Sequence, residues 1–305
     1  MSELYVSVSP HIRSPRTTQT IMRDVLIALC PALIASCIIF GARALLVSAV
    51  CVAASVLFEF LYQKGTKQPV TISDCSAAVT GLILAMNLPV TIPLWQAVFG
   101  CLVAIIVVKQ LFGGLGKNFA NPAIVGRVVL FLAFSGSMTN WVFPDAVSTA
   151  TPLALISKGA LDQLPSLWHA FLGWEGGCLG ETCSLALIAG GIYLIVRKVI
   201  TWHIPVAFVG TVFVLPALLG QQPVYQVLSG GLLLGAIFMA TDYVTSPPTP
   251  WGKVIFGIGC GLITVLIRVW GSYPEGVSFA ILFMNILNPY ITSWTRNKPI
   301  GGVNP

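Results

Sequence analysis

Residues 145–155, DAVSTATPLAL, gather Asp145, Ser148, Thr149 and Thr151 just before Pro152 in a chain that is otherwise strongly apolar. The set fits an Asx or Ser/Thr turn in which Thr151 caps a short helix starting at Pro152, because a threonine oxygen accepts the unpaired N–H groups of a first turn. Pro152 holds the residue before it out of helical geometry and keeps its hydroxyl presented. On residue chemistry alone the cap is the simpler reading.

Other polar residues sit at the ends of apolar runs. Asp74 lies in TISDCSAAVTG, and Asp242 lies with Thr241, Thr245 and Ser246 in MATDYVTSPPTP. Ionisable groups near membrane depth are candidates for an ion pathway, although Asp74 can equally cap the helix that follows it. Glu59, near the end of the second apolar run, is a weaker candidate of the same kind. GGLGKNFANPA, residues 113–123, lacks both the first glycine and the hydroxyl of a phosphate-binding loop. Its three glycines instead allow an irregular break between two membrane segments, with Asn118 and Asn121 satisfying its polar groups, and such a break suits an ion or a flat cofactor. His11, His169 and His203 share no helical face, so neither a metal site nor a catalytic triad is implied. The eight cysteines form no C-x-x-C pair, so most are packing residues, while Cys178 and Cys183 flank a loop and are spaced to pair in an oxidising compartment.

The elements that position these residues are membrane helices. The 305-residue chain is 56% hydrophobic, has a mean hydropathy of +0.89 and is 9% charged, far below the roughly 25% of soluble domains. Its net charge of +6 is scattered singly near run ends, without the basic face that nucleic-acid binding needs. No cleavable signal is evident at the start. Ten candidate spans fall near 24–41, 44–62, 74–88, 94–112, 121–136, 181–197, 203–220, 225–245, 252–270 and 277–295, the third and fifth of them short. With the N-terminus in the cytoplasm, thirteen Lys and Arg residues fall inside and Arg43, Lys158 and Arg268 outside. GLILAMNLPVTIPLW and GAIFMATDYVTSPPTPW echo one another, and Trp95 and Trp251 lie 156 residues and five spans apart. An odd number of spans inverts the second copy. The expectation is therefore an all-α polytopic membrane protein of two inverted five-helix repeats. It comprises a cytoplasmic arm over 1–22, a first repeat over 23–136, an external loop over 137–180, a second repeat over 181–296 and a cytoplasmic tail over 297–305.

The spacing Asp145, Ser148, Ala150, Thr151 resembles the signature at which a flavin transferase joins FMN to threonine through a phosphoester. With GGLGKNFANPAIVGR, SDCSAAVTGLILAMNLP and GAIFMATDYVTSP, it resembles the D subunit of the Rnf complex and, more distantly, the B subunit of the sodium-pumping NADH:quinone reductase. The resemblance covers nearly the whole chain. It implies covalent FMN at Thr151, with Asp145, Ser148 and Thr149 in the attachment motif. Where relatives more often carry glycine, this chain has Thr149, a second hydroxyl beside the first. It further implies a role in an ion-pumping ferredoxin:NAD+ oxidoreductase of the cell membrane, with other Rnf subunits as partners. A flavin transferase acts on it, Na+ or H+ is the ion, and a second, non-covalent flavin such as riboflavin can accompany the first. On this reading Asp74, Asn118, Asn121, Asp242 and Thr245 are the ion-pathway candidates. The alternative is a cofactor-free inverted-repeat channel or secondary transporter, favoured by the repeat and by Asn121-Pro122-Ala123.

Overall fold

A computed structural model describes residues 16–140, 151–157, 159–160, 162, 164–173, 176–181, 183–271 and 276–296. The first half is built from α1 (Thr18–Phe40), α2 (Ala42–Gly65), α3 (Ser76–Met86), α4 (Leu94–Leu102, continuing as a π-helix over Val103–Gln110), α5 (Pro122–Ala133) and the short α6 (Ser135–Met138). Two short helices follow, α7 (Pro152–Ser157) and α8 (Leu167–Leu172). The second half contains α9 (Ser184–Val196), α10 (His203–Leu218), α11 (Pro223–Leu228), α12 (Leu232–Leu234, continuing as a π-helix over Gly235–Met239), α13 (Pro250–Trp270) and α14 (Val277–Thr295). The described residues contain no strand.

Local chemistry sets the boundaries. Thr17 and Thr20 exchange side-chain and backbone hydrogen bonds in a capping box at the start of α1. Gly41, at φ +72°, makes the turn between α1 and α2 that a side chain would strain. Asn121 and Thr249 cap α5 and α13, each followed by proline at the first helical position. Helices α1, α2 and α13 are long and apolar enough to cross a membrane, and α3, α4 with its π-helix, α5, α9 and α10 are shorter apolar helices. A broad exposed apolar surface includes Ile38, Leu132, Leu218 and Trp294. Water would penalise that much apolar area, and lipid does not.

In the first half α2 lies against α3 and α4, and α4 lies against α5. In the second half α10 lies against α13, and α13 against α14. The halves join where α1 meets α9 and α5 meets α14. At the first junction a Cβ on Gly190 would sit 2.3 Å from Ala28 O, so only glycine lets these backbones touch. Helices α3 and α12 each enter through a left-handed residue, Cys75 at φ 63° and Gly231 at φ 65°, 156 positions apart. The caps of α4 and α13, Pro93 and Thr249, are also 156 apart.

Two features differ from the sequence expectation. The span at 225–245 is broken by a turn at Ser229–Gly231 and ends irregularly after Met239, because adjacent glycines at φ +80° and +65° cannot continue a helix. The interval 137–180 is not one loop. It contains α7 and α8, and its end at 176–181 turns back into the core, where all six residues are buried. There Gly180 N–H donates to Met86 O at 2.8 Å and Leu179 N–H to Leu88 O at 3.0 Å, while the Ser36 hydroxyl donates to Leu179 O. The two backbone bonds satisfy carbonyls left open at and just beyond the end of the short α3.

Candidate functional site

Two irregular segments meet at one end of the bundle. Residues 111–121 follow the π-helix of α4, and residues 240–249 follow the π-helix after α12. Such π-helical stretches concentrate at functional sites because their shifted hydrogen bonds free main-chain groups. Asn121 Nδ2 donates to Met239 O at 3.2 Å and so ties the two breaks together. Its Oδ1 accepts from Ala123 N–H at 3.0 Å, which starts α5. Asn118 donates to Ala120 O at 2.9 Å and lies beside Asp242. The Thr245 hydroxyl donates to Asp242 Oδ2 at 3.0 Å. From α14, the Asn285 amide, oriented to satisfy its neighbours, donates to Thr245 O at 3.1 Å and accepts from Asn121 N–H at 3.2 Å.

These groups border a cavity of about 810 Å³ between the halves, part of it open to the surroundings. Its walls include Met22 and Val25 of α1, Ser76 and Thr80 of α3, and Phe238, with Asn118, Asn121, Thr241, Asp242 and Lys109 supplying polarity. It is an apolar slot with a few convergent polar groups, the character of small-molecule sites.

Asp74 stands apart from this group. Its Oδ1 accepts from Ser76 N–H at 2.8 Å and from Ser76 Oγ at 2.7 Å, one position ahead of Cys75, the N-cap of α3. Ser76 carries the chain of contacts onward, because Lys109 Nζ donates to its hydroxyl at 2.6 Å and to the two Glu59 oxygens at 3.0 and 2.8 Å. Lys109 and Glu59 are 2% and 1% exposed. The sequence did not reveal this ion pair, since Lys109 was there one of the thirteen positive residues counted on the cytoplasmic side. Arg127 and Arg268 are buried as well, so three residues in the charge count report on the core and not on a membrane side. A positive residue closing a span next to FGG or WGS was the available signal, and it marks Lys109 and Arg268.

At the other end, Thr151 caps α7. Its Oγ1 accepts from Ala154 N–H at 3.3 Å, and the residue is 6% exposed. It faces a small cavity of about 250 Å³ shared with Gly177, Glu181, Ser229 and Gly230. Much of that space is open to the surroundings, and a tricyclic ring would have to lie outside it. Asp145, Ser148 and Thr149 fall outside the described residues. Between the two ends, Arg127 donates to Asn87 Oδ1 at 3.0 Å, to Ser278 Oγ at 2.9 Å and to Cys178 Sγ at 3.5 Å, linking α3, α5, α14 and the returning loop. Cys178 and Cys183 are both free thiols and do not pair.

The arrangement has known relatives. Residues 5–301 match the NQR2, RnfD, RnfE family. The chain belongs to that family. A member from Acetobacterium woodii, named as the D subunit of a Na(+)-translocating ferredoxin:NAD(+) oxidoreductase complex, is 48% identical, with 98% of this chain and 95% of the relative aligned. The D subunit of a proton-translocating ferredoxin:NAD(+) oxidoreductase complex from Clostridium ljungdahlii is 40% identical over 97% and 96% of the two chains. The D subunit of an ion-translocating oxidoreductase complex from Ectopseudomonas mendocina is 35% identical over 97% and 96%. Family members of either ion type thus share this chain's full length.

Proposed function

We propose that this chain is the D subunit of an ion-translocating ferredoxin:NAD+ oxidoreductase complex in the cell membrane, working with the other Rnf subunits to couple electron transfer to movement of Na+ or H+. The full-length identity to proteins of that name carries this conclusion.

The chain carries FMN on Thr151, attached by a flavin transferase. The geometry is compatible with that bond. Thr151 Oγ1 caps α7 as an acceptor, a role an ester oxygen retains, and the flavin then lies outside the small cavity beside it. When bound, the flavin supplies the electron chemistry, and the protein contributes position and electrostatics. The cavity beside Asn118, Asn121 and Asp242 takes the second, non-covalent flavin, held by amides and by apolar walls from both halves.

The two halves are inverted repeats within a ten-span bundle, with both termini in the cytoplasm and Thr151 outside. The equal 156-residue offsets between caps support the repeat, as does the shared order of packed helices. Asn118, Asn121, Asp242 and Thr245 then lie where the halves meet, so a change of charge in the cavity biases how the halves sit.

The test is flavin fluorescence of the denatured polypeptide after coexpression with the transferase. The unmutated chain and Thr149→Ala should fluoresce, and Thr151→Ala should be dark. Fluorescence that survives Thr151→Ala and disappears with Thr149→Ala would move the attachment to the neighbouring hydroxyl.

A further inference from the structure

Helices α10 and α13 run parallel with their starts side by side. A Cβ on Gly257 would stand 3.0 Å from Ile204 O, and one on Gly261 would stand 3.1 Å from Phe208 O, so the two backbones touch along a Gly-x-x-x-Gly seam. Toward the helix starts the seam opens. One turn before Gly257, Lys253 Nζ donates to Thr201 Oγ1 at 3.1 Å, and both residues line a cavity of about 610 Å³, part of it open to the surroundings. Ile204, Tyr243 and Pro247 complete its walls. This is the end of the bundle opposite Thr151, the end proposed to face the cytoplasm.

Positive charge gathers at this cavity without a counterpart. Among the described residues no carboxylate lies within ion-pair distance of Lys253, and the Thr201 hydroxyl is its hydrogen-bond partner. Asp242, beside two cavity-lining residues in the chain, is held by Thr245 instead. Neither helix carries an acidic residue in its first turn, and α10 has no side-chain cap. The positive ends of two parallel helices therefore add to the ammonium group, an arrangement that an anion would stabilise. The donors for one are in place. The ammonium group keeps two N–H groups beyond the one given to Thr201, and the Thr201 hydroxyl, used as an acceptor, keeps its own hydrogen to donate.

We infer that this cavity holds the phosphate of an anionic membrane lipid. Two tryptophans favour a lipid over a soluble anion. Trp202 and Trp251, 56% and 75% exposed, stand next to Thr201 and two positions before Lys253 in the chain, and such rings settle at the headgroup level of a bilayer. From that level the exposed side chains of Val206, Ile255, Ile258 and Leu262 continue along the two helices as an apolar surface for acyl chains. Lys253 can keep its aliphatic stem among apolar groups while its charge stays in the polar layer, where basic side chains attract anionic lipids. The bound lipid ties the starts of α10 and α13 to each other where the glycine seam ends. The site goes beyond the proposed redox function and does not depend on it.

The full chain, purified in a neutral detergent and stripped of lipid, is titrated with phosphatidylglycerol or phosphatidylcholine, and bound lipid is counted by native mass spectrometry. The unmutated chain and Lys253→Arg should each hold one phosphatidylglycerol more tightly than phosphatidylcholine. Lys253→Met keeps the stem and removes the charge, and it should weaken phosphatidylglycerol binding by about tenfold. Thr201→Val removes a single donor and should weaken it by less. Equal affinity of Lys253→Met and the unmutated chain for phosphatidylglycerol would overturn the site, as would equal affinity of the unmutated chain for the two lipids. Inorganic phosphate that displaces the lipid at equal concentration would make this a site for a soluble anion and overturn the lipid. If Lys253→Met does not yield folded chain, Thr201→Val decides, and unchanged affinity in that variant would count against the site.

Discussion

At the scale of single residues, Lys109 and Glu59 form an ion pair almost wholly buried in the described core. Removing one partner leaves an uncompensated charge, so Lys109→Met should destabilise the chain by about 3–5 kcal/mol. The double substitution Lys109→Met with Glu59→Leu should recover most of that loss, measured as the fraction remaining monodisperse in detergent after heating. A double variant as unstable as the single one would show that the pair's charges are not the issue. Asp242 belongs to a different part of the molecule, at the break after Met239 and far along the chain from Thr151. Asp242→Asn should leave flavin attachment intact and lower coupled turnover. Normal ion movement per electron in that variant would reduce Asp242 to a loop-fixing group for Thr245. Asn118, Asn121, Asp242 and Thr245 stood out in the sequence because they are polar in apolar surroundings. Glu59 and Lys109 did not stand out as a pair, because a contact across 50 positions exists only after α2 and α4 have taken their register.

At the scale of elements, the tight joints are made by missing side chains. Gly190→Ala should separate α1 from α9, because its Cβ lands on the Ala28 backbone, at a cost of about 1–3 kcal/mol for overpacking. Gly210→Ala in α10 meets nothing within 4 Å and should be neutral, or stabilise by up to about 1 kcal/mol through better helix propensity. Comparing heat resistance of the two purified variants tests this, and equal stability would contradict the close α1–α9 contact. The short third and fifth spans were visible as short apolar runs, in keeping with the eleven residues of α3 and twelve of α5. The break at Ser229–Gly231 was missed because apolar residues on both sides masked it as one continuous span. The return of 176–181 was hidden for a different reason, since its glycines and Cys178 give no period that separates a buried turn from an exposed one.

At the scale of the whole molecule, the echo around Trp95 and Trp251 was legible because tryptophan and proline mark span starts, and the left-handed entries at Cys75 and Gly231 keep the same spacing. The orientation rests on the remaining surface charges. Cysteines introduced at Asn140 and Ala160 should react with a membrane-impermeant thiol reagent only from outside the cell, against the unsubstituted chain as a blank. Reaction only from the cytoplasmic side would invert the arrangement and place Thr151 inside. The central claim is that this bundle carries a flavin by a threonine ester while joining the halves that move ions. Peptide mass measurement on the chain purified from its native complex tests it most directly. The account predicts that the peptide containing Thr151 carries the mass of FMN less one water, with fragmentation placing it on that residue. An unmodified Thr151 peptide from a complex that moves ions at full yield would contradict it.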